Sequence, residues 1–216
     1  MIAGSKRFII ALTGPMASGK NAVSDILEKE GFLCIDADTL VHKAIENKKN
    51  DILEAFSSAA GQKKISLVLP DGSINRRSLG SLVFSSPELL TRQELIIHPE
   101  VDRIINDYID ENPEKSIVVN ATVLYKTPVI KRCSFILYIT APVITRFFRV
   151  LQRDSLPILQ IFKRFFAQKN IFAKYRSLNA DMYIVRNFSS RNSLKKKILN
   201  ILQGYLCSQG YNDGTK

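Results

Sequence analysis

Five short apolar runs recur along the chain, at residues 8–13 (FIIALT), 32–36 (FLCID), 116–120 (SIVVN), 135–140 (FILYIT) and 181–186 (DMYIVR). Each is rich in β-branched or aromatic residues and is nearly continuous in apolar character. None shows the strict alternation of a strand with one wet face, and helical patterns separate them. Strands of this kind are buried on both sides, so the pattern predicts an α/β fold with a five-stranded parallel sheet flanked by helices. Right-handed crossovers then put the loop after the first strand at the carboxyl edge of the sheet.

About 80 residues separate the second run from the third, far more than one crossover helix needs. They contain TLVHKAIE, NDILEAFSSAAG, a turn at PDGSINRRSL and the long periodic stretch SPELLTRQELIIHPEVDRIINDYIDENP. This predicts a helical insertion over 49–113, between core segments 1–48 and 114–140. Ser86 is a suitable N-cap for the long helix and Pro87 a suitable first residue, whereas Pro99 is expected to kink or break it. A second, smaller insertion over 141–178 is rich in arginine and phenylalanine. The third core segment, 179–216, closes with a helix and a tail, SQGYNDGTK, expected to fray.

Composition changes this picture little. Apolar residues make up 45% of the 216 and charged residues 24%, ordinary for a globular chain that buries its own core. Cys34, Cys133 and Cys207 are odd in number and lack C-x-x-C spacing, which argues against a disulfide framework or a zinc site and for small buried apolar residues in a reducing compartment. No apolar run approaches the roughly 20 residues that span a bilayer. The N-terminal stretch leads into a turn rather than a small-residue cleavage site, and a cytoplasmic protein is expected. Charge is the unusual figure: 31 basic against 20 acidic residues give +11, which favours a nucleic acid, an anionic lipid or a polyphosphate ligand.

The third of these gains support from ALTGPMASGKNAVSDIL, residues 11–27, where a strand, a glycine-bounded turn and a helix start follow in order. A bound phosphate needs converging N–H donors and a positive charge. The segment Gly14, Pro15, Met16, Ala17, Ser18, Gly19, Lys20, Asn21 and Ala22 supplies the donors at a helix N-terminus, and Lys20 supplies the charge. The pattern G-x-x-x-x-G-K-[ST] is complete except at its last position, where Asn21 replaces the hydroxyl that ordinarily ligates Mg²⁺. An amide oxygen also ligates hard cations, so Asn21 is the candidate metal contact. A loop that binds nucleotide without catalysing is the alternative. Further on, IDADTLVHKA places Asp36 and Asp38 at the carboxyl edge of the sheet, near the loop if the second strand lies beside the central ones. A carboxylate there suits the orientation and deprotonation of an acceptor hydroxyl. Asp38 is equally suited to cap a helix beginning near Thr39.

In their order and spacing, ALTGPMASGKN, IDADTLVHKAI, DGSINRRSLGSLVFSSPE, IIHP, RVLQRD and ADMYIVRN resemble the dephospho-CoA kinases, a family with a P-loop kinase-like fold. The resemblance implies transfer of phosphate from ATP, with Mg²⁺, to the ribose 3′-hydroxyl of dephospho-CoA. It implies Asp38 as the base, a helical insertion that holds the acceptor, and a lid over ATP. By position, Arg76 and His98 would face the acceptor, Arg149 and Arg153 would join Lys20 at the transferred phosphate, and Asn187 would lie near the adenine. Each has a plainer competitor: Arg76 as a solvated turn residue, His98 as the end of a helix before Pro99, and the arginines as a solvated face that also includes Arg146. The chain departs from the family at Asn21, at VVNATVLYKT, where a P-L-L-like turn and an acidic residue are expected, and at Arg186, where the family commonly has asparagine. Ile158, Phe162, Phe165 and Phe166 can form one apolar face, expected to pack on the core or a neighbouring subunit rather than on a membrane. A monomer or weak homo-oligomer is expected, without a membrane or nucleic-acid partner. A nucleoside monophosphate kinase of the same fold and a nucleotide-dependent regulator or nucleic-acid-binding module are the rivals.

Overall fold

The computed structural model describes residues 7–154 and 157–209; the tail expected to fray lies outside them beyond Gln209. Two compact units form, one from the chain up to Asp36 together with the chain from Asn112 onward, the other from Ala37–Glu111.

The first unit is built on five parallel strands: β1 Ile9–Thr13, β2 Leu33–Asp36, β3 Ile117–Asn120, β4 Phe135–Thr140 and β5 Met182–Arg186. Their order is β2-β3-β1-β4-β5. β1 is central and fully buried, as its continuous apolar sequence requires. The second strand is not beside β1: β3 lies between them, paired to both, with Asn120 level with Leu12 on one side and Asp36 on the other. Alternate residues face opposite layers. Ile10 and Leu12 of β1 with Phe135, Leu137 and Ile139 of β4 join Val23, Ile26 and Leu27 of helix α1 (Lys20–Lys29) and Leu194, Ile198 and Leu202 of helix α9 (Arg191–Ser208) in one core. On the other face, Tyr138 packs edge-on against Phe172 and Tyr175 of α8 (Ile171–Arg176). Between β4 and α8 lie α6 (Val143–Arg153) and α7 (Ile158–Ala167).

On α7 Ile161 is buried, while Ile158, Phe162 and Phe166 are exposed; contact with the rest of the unit runs through Ile161, through Phe165 under Arg146 and through Phe162 against Phe147 of α6 at 5.6 Å between ring centres, so the expected packing on the chain's own core is only partial. The cysteines also depart from expectation. Cys34 and Cys133 are half-buried and Cys207 is exposed on α9; none is paired among the described residues.

The second unit holds α2 Ala37–Asn47, α3 Lys49–Gln62, α4 Arg76–Val83 and α5 Pro87–Glu111 around Ile52, Phe56, Leu79, Leu82, Ile105 and Ile109. Ser86 Oγ accepts from Leu89 N at 3.5 Å and opens α5. The helix then runs unbroken through Pro99. Proline's missing N–H frees the carbonyl four residues back, that of Leu95, and both residues are exposed, where water can satisfy it. Within the unit, buried Glu100 accepts from Asn47 Nδ2 at 2.6 Å and from two nitrogens of Arg103 at 2.8 and 3.1 Å. These bonds, Arg103's foremost, hold its carboxyl at about 2, well below the usual glutamate range.

Candidate active site

The loop between β1 and α1 has left-handed backbone at three positions, Gly14 (φ 145°), Ala17 (φ 59°) and Gly19 (φ 99°). Two of these positions exclude a side chain. A Cβ on Gly14 would lie 2.1 Å from Ile139 O, and one on Gly19 would lie 2.0 Å from Asn187 Nδ2. Glycine therefore permits both the turn and its close seating against β4 and the segment after β5. Lys20 Nζ folds back to Gly14 O at 3.1 Å, across the mouth of the loop, and α1 begins at Lys20 with Gly19 as its N-cap. That is the arrangement in which a helix N-terminus and an ammonium group receive phosphate.

Distant side chains hold the loop in shape. Asn187 is buried, and its Nδ2 donates to Ser18 O at 2.8 Å. Arg149 donates to Ala17 O and Ser18 O at 3.2 and 3.3 Å and to Asn187 O at 3.2 Å. Arg146, 9% exposed, donates to Met16 O at 3.4 Å, with its guanidinium 4.6 Å from the ring centre of Phe165. Burial lowers the Arg146 pKa. Gln168, just past α7, accepts from Met16 N at 2.7 Å. Arg146 and Arg149 therefore face the loop, while Ile144 and Phe148 of the same helix face outward. Arg153 is turned elsewhere, into a two-bond pair with its neighbour Asp154 at 2.8 Å. Asn21, the second residue of α1, accepts from Asn120 Nδ2 at 3.3 Å. Beside Asn187, a cleft of about 300 Å³ is lined by Thr140, Ala141, Pro142, Arg186 and Phe188.

Asp36 ends β2, but Asp38 does not lie on the strand: α2 starts at Ala37, so Asp38 is an exposed residue of the first helical turn rather than a cap before Thr39. In the helical unit, a cleft of about 870 Å³ is lined in part by His42, Glu46, Asn75, Arg76 and Arg77. Its wall is ordered by Glu46, whose carboxylate accepts from Ile74 N at 3.2 Å, and by Asn75, which caps α4 by accepting from Ser78 N at 3.1 Å. Arg76 is thus in a cleft; His98, half-buried on α5, is not among its lining residues. Sequence reasoning missed Gln168 and the His42–Glu46 pair. TLVHKAIE carries the second signal as a helical i, i+4 spacing, whereas nothing around Gln168 marks it.

Comparison with known proteins agrees with this geometry. The family model for dephospho-CoA kinase matches residues 8–192. The dephospho-CoA kinase of Treponema denticola is 43% identical over 201 residues, covering 91% of this chain and 90% of that protein. That of Treponema pallidum is 38% identical over 197 residues, covering 90% and 93%. Among solved structures, TT1252 from Thermus thermophilus superposes with a TM-score of 0.75 at 28% identity, over 93% of this chain and 98% of the other.

Proposed function

The chain belongs to the dephospho-CoA kinase family, and from that premise we propose how its own residues transfer a phosphoryl group from ATP to the ribose 3′-hydroxyl of dephospho-CoA, giving coenzyme A. The observation that carries the reading is the loop at residues 14–20, strained, glycine-seated and braced by Asn187, Arg146, Arg149 and Gln168 at the start of α1. Such a loop is rigid before nucleotide arrives, so little ordering is required at the moment of reaction.

In this reading the residues from Gly14 to Ala22 receive the phosphates, and Lys20 exchanges Gly14 O for phosphate oxygens. Arg149, already at the loop, neutralises charge on the transferred group; Arg153 joins it only by leaving Asp154. The cleft beside Asn187 takes the adenine, where Phe188 offers a stacking face and Asn187 itself maintains the wall through Ser18. Asp38 orients the acceptor hydroxyl and takes its proton. Arg76 and His98 bind the acceptor, and the cleft containing Arg76 adds His42 and Arg77 as candidates for its phosphates.

The donor set near Asn21 fits Mg²⁺. It offers neutral amide oxygens, which are hard ligands, and one of them, Asn120 Oδ1, is buried without a hydrogen-bond partner. Among the described residues no cluster of three or more acidic, histidine or cysteine side chains could hold an ion. When bound, Mg²⁺ would neutralise phosphate charge, and Asn21 would hold it. No helix among the described residues is long and apolar enough to cross a membrane. A cytoplasmic enzyme, acting as a monomer or weak homo-oligomer without nucleic acid, completes the proposal.

The test is ADP release by purified protein with ATP and dephospho-CoA while Mg²⁺ and Mn²⁺ are titrated, with the product identified by mass. Formation of coenzyme A is expected. Binding of ATP without product under either metal would overturn the proposal in favour of a non-catalytic nucleotide-binding protein. Asp38→Asn should retain ATP affinity and lose about 100-fold or more in kcat; an unchanged kcat would remove Asp38 from the mechanism.

A further inference from the structure

Two side-chain amides meet below the phosphate loop. Asn21 stands in the first turn of α1, and Asn120 is the last residue of β3, 4% exposed. Asn120 Nδ2 donates to Asn21 Oδ1 at 3.3 Å, while its own Oδ1 is buried with no partner. A buried acceptor left unsatisfied carries its full desolvation cost, so native structures rarely keep one unless something completes it.

The contact also has a direction. An amide NH₂ group only donates, so Asn120 holds Asn21 with its carbonyl oxygen rather than its nitrogen on the shared side. That oxygen has two lone pairs, and Asn120 takes one of them. On the neighbouring strand, Asp36 sits level with Asn120 and adds negative charge on the same side of the sheet. The two amide oxygens at the start of α1 are hard, neutral acceptors of the kind that ligate a divalent cation.

Resting on the reading of Asn21 as the metal contact, we propose that Asn120 is the positioning residue of a two-amide divalent-cation site. Asn120 orients the Asn21 oxygen toward the ion that accompanies the nucleotide, and its own unpartnered oxygen is the second acceptor. A serine or threonine at position 21 would need no such partner, because a hydroxyl has no wrong end to present. In this chain the replacement at position 21 is therefore matched by a residue 99 positions away.

The experiment measures Mn²⁺ affinity by electron paramagnetic resonance on the whole protein loaded with a non-hydrolysable β,γ-imido analogue of ATP. Affinity for the analogue without metal is measured alongside. Asn21→Ala and Asn120→Ala should each weaken Mn²⁺ binding about 10-fold or more, the range for residues that orient a metal ligand. The double variant should be no more than about twofold worse than the weaker single one, because the two act as a unit. In the Asn120 variants, which lie outside the phosphate loop, metal-free affinity should move by less than about threefold. In an Asn21→Thr background, Asn120→Ala should matter by less than about threefold. Asn120→Thr, closer in volume to asparagine, is read beside Asn120→Ala to separate loss of the amide from loss of packing.

Native Mn²⁺ affinity in both Asn120 variants would overturn the inference. So would fully additive losses, or, in the Asn120 variants, a loss of metal-free binding as large as the loss of Mn²⁺ binding. A native protein that forms coenzyme A while indifferent to Asn120 would refute this inference alone, whereas a native protein that binds no nucleotide would refute the kinase reading as well.

Discussion

Substituting alanine at Gly14 tests whether the seating of the loop on β4 sets activity. The new Cβ would lie 2.1 Å from Ile139 O, where ordinary contacts begin near 3.4 Å, so more than 1 Å must be found. The obstacle is backbone in a strand paired on both sides and cannot rotate away. The loop must move instead, and it must do so at a residue with φ of 145°. Strain of about 1–2 kcal/mol for the left-handed backbone and about 1–3 kcal/mol for overpacking suggest a loss of about 2–5 kcal/mol in stability. At about 2–4 °C per kcal/mol for a chain of this length, Tm should fall by about 4–20 °C. A displacement of about 1 Å at the phosphates should lower kcat/KM about 100-fold, beyond any loss of folded protein. The assays are a thermal melt and steady-state ADP release at a temperature where both proteins are folded. Gly80→Ala is the control: no atom lies within 4 Å of its Cβ, and it sits inside α4. It should add about 0.5–1 kcal/mol to stability and leave kinetics alone. A Gly14→Ala protein with native Tm and with kcat/KM within about threefold of native would refute the close-seating argument.

Arg149→Ala removes three charge-assisted bonds, two to loop carbonyls and one to Asn187 O; they share one side chain and are long, so about 2–3 kcal/mol, or about 30- to 150-fold in kcat/KM, is expected. Arg153→Ala should cost less, and equal losses would show that Arg153 leaves Asp154 to reach the phosphates. Glu100 predicts acid sensitivity in the helical unit. Its folded carboxyl stays ionised down to about 2 while the unfolded one protonates near 4.5, so its contribution is complete above 4.5 and is lost as pH falls from 4.5 toward 2. Thermal melts over that window should therefore fall more steeply for the native protein than for Glu100→Gln, and parallel curves would deny Glu100 this role. At neutral pH iodoacetamide should label Cys207 first, read by peptide mass, because it is exposed while burial pushes the thiols of Cys34 and Cys133 up to about 12. Equal labelling of all three would contradict that burial.

What the sequence determined by itself was local. The five strands were legible because a sheet covered on both faces demands continuous apolar runs. The phosphate loop was legible because strand, glycine-bounded turn and helix start are contiguous in the chain, and Ser86 was legible as the start of α5 because capping acts over three residues. Tertiary structure alone decided that β3 separates β2 from β1, since strand order follows from which crossovers pack and leaves no periodic trace. It also decided that Pro99 is tolerated, because that depends on which side of α5 meets water. The same holds for the support of the loop. Gln168 reaches Met16 across 152 positions, Asn187 reaches Ser18 across 169, and Asn120 reaches Asn21 across 99. A hydrogen bond at such separation is made by the packing of whole elements, and no pattern of neighbouring residues encodes it.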